Sequence, residues 1–489
     1  MNTPMRRVGL AMMVMVLLLL ANATYVQIIA AERYRTNDAN QRVLLDQYGR
    51  KRGQIIAADG QPLASVQETN DRLRYLRTYP KGLIYSPVTG YYSTSYGSAG
   101  MERIEDDVLN GDDDRLIVNR LSDVITGRDP QGGSVQLTIN PAAQETAYNQ
   151  MTEKGFTGSV VAIKPDTGEI LAMVNTPSYD PNLLATHDEA AQKNAYTELD
   201  KAEGNPLRNK AVQDIYPPGS TFKLVVAAAA LENGATKDTQ LPAQAEIQLP
   251  NTNTTLENFN HTTCGSGQTA SLQEALARSC NTAFAQLAGD LGTDKLKEQA
   301  AKFGFGEQGQ EIPLRVQPSS VGDIPDKAAL YQSGIGQRDV VMTPLQDAVV
   351  AATIANGGVR MQPHLVSKVL SPNLSELETV DPEEVGEAVT PATAATLRDM
   401  MIASEQRTSG GGKLQGVTIA SKTGTAEHGT DPKNTNPHAW YVAFAPAEKP
   451  EVAVAVLVEN GGDRGLEATG GSVAAPIGRA VIGAVLGGS

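Results

Sequence analysis

The chain has 489 residues, 40% hydrophobic and 20% charged, enough for two or three domains with sizeable cores. A formal net charge of -14, with no basic patch or base-stacking motif, excludes a nucleic-acid partner. Five scattered histidines (His187, His261, His364, His428 and His438) and two cysteines show no ligand spacing, so neither a metal nor a cofactor is expected.

Arg6 and Arg7 precede an uncharged run over 8–31, 24 residues long, which is sufficient to span a bilayer. Positive charge ahead of the span keeps that end cytoplasmic. Ala21-Asn22-Ala23 also has the small-x-small form of a signal-peptide cleavage site, but the apolar continuation from Tyr25 to Ala31 favours an uncleaved anchor over 1–31. Residues 32–140 read as a β-rich domain, with tyrosines concentrated between Tyr79 and Tyr96. Its acidic runs, Glu102 to Asp107 and Asp112-Asp113-Asp114, read as solvated faces or loops. Asn140-Pro141 opens a helical stretch to Lys154 and marks the junction with a larger domain over 141–489.

In that domain Tyr216-Pro217-Pro218-Gly219-Ser220 breaks the chain, Leu224 to Leu231 supplies an apolar helix, and Asn233-Gly234 stops it. Ser220 therefore stands at a helix N-terminus, where free N–H groups favour developing negative charge. Lys223, three residues on, shares its face. A serine hydroxyl needs a base to become a nucleophile, and a desolvated lysine can be one. Taken alone, the pair also fits a helix-capping serine with a surface lysine.

Further on, Ser271 and Glu274 form a capping box at the start of a helix that reaches Ser279-Cys280-Asn281. A hydroxyl and an amide two residues apart do not share a helical face. A break there would bring both to one site, Ser279 as a proton relay and Asn281 as a donor to an amide oxygen. Ser371-Pro372-Asn373 has the same pattern, but its proline and the strand-like run His364 to Leu370 make it a turn.

After the flexible Ser409 to Gly412, Val417 to Ala426 alternates as a strand and contains Lys422-Thr423-Gly424-Thr425. A cation, two hydroxyls and edge-strand amides suit a substrate that ends in a carboxylate and pairs by strand addition, and the glycine implies close approach of another backbone. The runs His438 to Phe444 and Val452 to Val458 complete an antiparallel meander. Trp440 falls near the third motif as a candidate groove residue, Gln332 to Gln337 reads as a structural loop, and Val473 to Leu486 as a terminal helix. In this order the three motifs describe an acyl-transfer site.

The set Ser-x-x-Lys, Ser-x-Asn, Lys-Thr-Gly resembles that of the penicillin-binding proteins and serine beta-lactamases. Gly158 to Val174 resembles the first hairpin of their transpeptidase domain, Asn209 to Lys223 the approach to its nucleophile, and Arg52 to Gly60 with Leu63-Ala64 the start of the class B pedestal. The compact N-terminal region most resembles the penicillin-binding protein A group of actinobacteria. The resemblance implies an α/β (α+β) fold of the serine beta-lactamase/transpeptidase type: an antiparallel sheet flanked by helices, a dimerisation-type pedestal over 32–140, a transpeptidase domain over 141–489 and one transmembrane helix. The pedestal region is too short to hold a glycosyltransferase as well.

The same resemblance implies roles for the residues. Ser220 is acylated by a peptidoglycan stem peptide ending in D-Ala-D-Ala, Lys223 is the general base, Ser279 relays a proton and Asn281 binds a substrate amide. Lys422 supplies positive potential, Thr423 and Thr425 hydroxyls bind the substrate carboxylate beside Gly424, and the N–H groups of Ser220 and Thr425 form the oxyanion hole. An acceptor amine then takes the acyl group, giving a cross-link, and beta-lactams acylate the same serine. Implied partners are stem peptides, beta-lactams, and a glycosyltransferase or other divisome or elongasome proteins, with the catalytic domain outside a membrane crossed once. The alternatives are a D,D-carboxypeptidase or beta-lactamase, in which water takes the acyl group, and a non-catalytic beta-lactam sensor. The second motif departs from the usual pattern in its middle residue, Cys280. In an oxidising compartment Cys264 and Cys280 are the candidate disulfide, closing a loop of about fifteen residues; two free thiols are the alternative.

Overall fold

The structure is a computed structural model that describes residues 2–30, 48–127, 129–307 and 312–487. The helix Asn2–Thr24 continues through a π-helical turn, Tyr25–Ile29. Its stretch Pro4–Ile28, 25 residues, is long and apolar enough to cross a membrane, and none of it is buried against the protein. The apolar C-terminal stretch Gly470–Gly487 differs in being 61% buried, as a core helix is.

Two sheets organise the rest. A six-stranded sheet, among the described residues, runs in the order Glu376–Thr379, Val366–Leu370, Ser134–Leu137, Ile55–Ile56, Pro62–Glu68, Tyr75–Thr78. Its first two strands come from far along the chain, so this sheet does not end at the junction read at 140. They form a hairpin turned at Ser371-Pro372-Asn373, as the sequence suggested. The tyrosine-rich stretch departs from the β-rich expectation, since the helix Gly82–Thr89 occupies its centre.

The acidic run at Glu102 also differs from its reading as a solvated face. Glu102 is fully buried and accepts from Arg52 Nε at 2.7 Å, Arg77 Nε at 2.6 Å and Tyr79 OH at 3.0 Å. Two guanidiniums hold this carboxylate below the usual range against the penalty of burial. Removing both would leave an uncompensated buried charge, which costs about 3–5 kcal/mol.

The second sheet is five-stranded and antiparallel throughout, in the order Ala420–Ala426, His438–Ala445, Val452–Val458, Gly158–Ile163, Ile170–Thr176. The helices Pro141–Thr152 and Ala475–Gly487 cover one face. A helical body that includes Lys223–Glu232 and Pro344–Ala355 covers the other. Because both faces are buried, Val452–Val458 is apolar at every position rather than alternating. Asn140 Oδ1 caps the first of these helices by accepting from Ala143 N at 3.1 Å. The strand Ala420–Ala426 stands at the edge, paired on one side only, so its outer side can meet a ligand.

Candidate active site

Ser220 lies in a 3-10 turn, Gly219–Phe222, that leads directly into the helix Lys223–Glu232. Glycine is required ahead of it. Gly219 has φ +54°, and a Cβ there would lie 2.6 Å from the carbonyl oxygen of Thr425. Its N–H donates to Gly336 O at 2.9 Å, so the turn that follows the helix Lys327–Ser333, whose last residues are Gln332 and Ser333, holds the nucleophile turn in place. Gly424 meets the close approach expected of it: a Cβ would sit 2.9 Å from Pro218 O and 3.0 Å from Thr221 Cγ2. The edge strand and the nucleophile turn are thus in backbone contact.

The break expected at the second motif is present. The helix Leu272–Arg278 ends at Ser279, which is left-handed with φ 61°, and Cys280 caps the next helix, Asn281–Leu291. Ser279 and Asn281 consequently converge on one amine. Lys223 Nζ donates to Ser279 O at 2.7 Å and to Asn281 Oδ1 at 2.8 Å, with Ser279 Oγ at 3.4 Å. Lys422 Nζ donates to Ser279 Oγ at 2.8 Å and to Thr423 O at 2.7 Å. The Ser279 hydroxyl therefore bridges two lysines. Asn281 Nδ2 donates to Glu257 O at 2.8 Å, which orients its amide oxygen toward Lys223.

Both lysines are buried, at 0% and 1% exposure. Burial pulls Lys223 well below the ordinary lysine range, and the neighbouring charge of Lys422 adds to the shift. Lys422 is drawn down to about 7 by burial, with Asp347 opposing. Ser220 Oγ, half-buried, makes no hydrogen bond among the described residues. No hydrogen bond joins Lys223 to Ser220; the amine donates to Ser279 and Asn281.

Cys264 and Cys280 are joined as a disulfide, with Cα atoms 5.7 Å apart. The bridge pins the loop ahead of Cys264 to the start of the helix Asn281–Leu291, and Asn258 in that loop holds it too: its Nδ2 donates to Gln244 O and Thr262 O, both at 3.0 Å, and its Oδ1 accepts from Thr282 N at 3.0 Å. That loop forms one wall of a groove of about 400 Å³ beside Ser279, with Phe259, Arg278, Arg407, Thr423 and Thr469 among its lining. Thr423 and Thr425 are half-buried along the edge strand.

Trp440 is not on the groove. It is fully buried, its Nε1 donates to Pro217 O at 3.0 Å, and its ring packs edge-on against Tyr216. It sits opposite Gly424 in the ladder, so the tryptophan supports the nucleophile turn from beneath. Sequence reasoning also passed over Asp347, a fully buried acid near Thr221 and Lys422. Its signal was available, a lone charge inside the apolar run Pro344 to Ala355. No cluster of His, Cys, Asp and Glu able to hold a metal occurs among the described residues.

A helical body and antiparallel sheet that bring these three motifs onto one hydroxyl, that of Ser279, define a serine acyl-transfer enzyme of the penicillin-recognising type. Residues 158–483 match the family described as penicillin binding protein transpeptidase domain, and residues 52–135 match the penicillin binding protein A dimerisation domain. The chain belongs to the penicillin-binding protein transpeptidase family. It is 57% identical over 489 residues to the peptidoglycan D,D-transpeptidase PbpA of Mycolicibacterium smegmatis and 51% identical to that of Mycobacterium tuberculosis, with 99% of each chain covered. The solved ceftriaxone acyl-enzyme of penicillin-binding protein A from M. tuberculosis superposes with TM-score 0.89 at 52% identity, covering 90% of this chain and 100% of that one. The penicillin G acyl-enzyme of the same protein gives 0.86 at 51% identity, over 89% and 100%.

Proposed function

We propose that this protein is a peptidoglycan D,D-transpeptidase with Ser220 as its nucleophile. The observation that carries the reading is the Ser279 hydroxyl shared between two buried lysines, Lys223 and Lys422, directly beside the turn that presents Ser220. The relatives whose structures hold beta-lactams as acyl-enzymes support it.

Ser220 Oγ attacks the carbonyl of the penultimate D-Ala as the Lys223 lone pair takes its proton. The N–H groups of Ser220 and Thr425 bind the oxyanion, and Asn281 binds a substrate amide. Lys422 with the Thr423 and Thr425 hydroxyls holds the terminal carboxylate, and Gly424 allows the edge strand and nucleophile turn to close on the substrate. Ser279, hydrogen-bonded by Lys422, passes its proton to the departing D-Ala nitrogen and is reprotonated by the Lys223 ammonium, 3.4 Å from its Oγ. An acceptor amine then attacks the ester, forming the cross-link and releasing Ser220. The proton that the amine loses is taken up by Ser279 and returned through Lys223 to Ser220 Oγ, so the site ends as it began.

Residues 1–31 serve as a membrane anchor, 32–140 with the added hairpin 366–379 as the pedestal, and 141–489 as the transpeptidase domain. Arg6 and Arg7 ahead of the apolar helix, and a disulfide in the catalytic domain, both support placing the bulk of the chain outside the membrane. The partner we infer is a glycosyltransferase that makes the glycan strands. The test is incubation of the full chain with a stem pentapeptide and an amine acceptor, with products read by mass. Cross-linked peptide with release of D-Ala supports the reading; release of D-Ala with the tetrapeptide as the sole product assigns a carboxypeptidase instead.

A further inference from the structure

The helix Pro344–Ala355 is buried at every position from Pro344 to Ile354 and carries one charged residue, Asp347. Asp347 is 1% exposed, and its Oδ2 has no hydrogen-bond partner. A carboxyl at that depth with one oxygen unpartnered is expensive to keep, so it calls for a physical account. Its polar surroundings are Thr221, next in the chain to Ser220, and Lys422. Thr221 is itself wedged under the edge strand, its Cγ2 against Gly424, and its hydroxyl donates to Pro218 O at 3.2 Å. The acid therefore lies beneath the point where nucleophile turn and edge strand touch.

Other charges on the elements packed against this helix are already committed. The strands Gly158–Ile163 and Val452–Val458 carry none. In His438–Ala445, burial pushes His438 down to about 3 and leaves it neutral. Lys210 pairs with Glu459 at 3.1 Å, Arg360 with Glu307 at 2.9 Å, and Glu405 with Arg479 at 2.7 Å. On the helix Pro391–Arg407, Arg398 pairs with Asp399 at 2.8 Å and Arg407 with Glu274 at 3.2 Å. Lys422, with Lys223 next to it, is the charge left to face Asp347.

We propose that Asp347 is a positioning residue for the acylation chemistry, setting the charge of Lys422 from beneath the nucleophile turn. This deepens the transpeptidase reading and rests on it. When Asp347 gives its proton to Lys422, the pair becomes an ammonium and a carboxylate with no change in net charge. The ammonium is then ready for a substrate carboxylate and keeps Ser279 oriented. Burial pushes Asp347 up to about 8 and Lys422 down to about 7, and the charge of each opposes the other's shift.

The test is the rate constant for acylation of the full chain in detergent by a fluorescent penicillin, followed from about pH 5 to 10. Asp347→Asn is isosteric and removes the negative charge. Lys422 then loses its proton at lower pH, and the alkaline limb of the profile moves down by about one unit, a tenfold loss of rate on that side. Should the Asn variant fail to fold, Asp347→Ala removes the same charge and predicts the same displacement. A merely structural acid would alter melting temperature while leaving the limb in place. Superposable profiles for wild type and a folded variant would overturn the inference. Failure of the wild type to be acylated on Ser220 would instead sink the transpeptidase reading itself.

Discussion

Replacing Ser279 separates chemistry from fold, because the residue does two physical jobs. Its hydroxyl accepts from Lys422 at 2.8 Å, and its backbone is left-handed with φ 61°. A non-glycine residue there costs roughly 1–2 kcal/mol that glycine does not incur. Ser279→Ala and Ser279→Gly both remove the hydroxyl yet retain the carbonyl that accepts from Lys223 at 2.7 Å. Each should lose the proton relay, a drop of about 10²–10⁴-fold in acylation rate. Each also leaves buried Lys422 with Thr423 O as its remaining acceptor, a loss of about 1.5–3 kcal/mol. Glycine recovers about 1 kcal/mol of that through relief of strain, as at other helix C-termini. The expected outcome is equal rates for the two variants, both far below wild type, with the glycine variant the more stable. Stopped-flow acylation by a fluorescent penicillin and denaturant unfolding measure the two quantities. A glycine variant with near wild-type rate, or rates that follow stability, would refute the relay.

The disulfide closes a loop with a sequence separation of 16, for which chain entropy gives about 3 kcal/mol. Cys264→Ser with Cys280→Ser should unfold at correspondingly lower denaturant and bind beta-lactams more weakly, because the groove wall loosens; an unchanged midpoint would show that Asn258 holds the loop unaided. Arg479, fully buried, pairs with Glu405 and donates to Gly410 O and Gly411 O, both at 2.9 Å, while Glu405 accepts from Ser421 Oγ at 2.5 Å beside Lys422. Arg479→Met should therefore cost about 3–5 kcal/mol and raise the penicillin concentration needed for half-maximal acylation. The companion Arg479→Met/Glu405→Gln variant, which removes both charges, should recover part of the stability in the same unfolding assay.

The three motifs, the break after Arg278, the meander and the hairpin turn at Pro372 were legible because each is local: spacing, capping and turn chemistry decide them. What was not legible depends on residues distant in sequence. Glu102 looks like part of a solvated acidic run until Arg52 and Arg77 are brought to it. Trp440 lies in a strand buried on both faces, where alternation does not say which side meets a ligand. Lys223 shares a helical face with Ser220 in sequence terms, but Ser279 O and Asn281 Oδ1 offer better partners across the fold. The recruitment of Val366–Leu370 and Glu376–Thr379 into the N-terminal sheet is likewise a pairing of remote strands. Asp347 could have been noticed as a charge in an apolar run, yet its meaning depends on Lys422.

The central claim, that Ser220 is the acylated nucleophile, is tested most directly by mass mapping of the adduct. The full chain in detergent is incubated with a fluorescent penicillin beside a folded Ser220→Ala variant, digested, and the labelled peptide sequenced by mass. The account predicts one long-lived adduct on Ser220 and none in the variant. An adduct on another residue, or equal labelling of the Ser220→Ala protein, would contradict it.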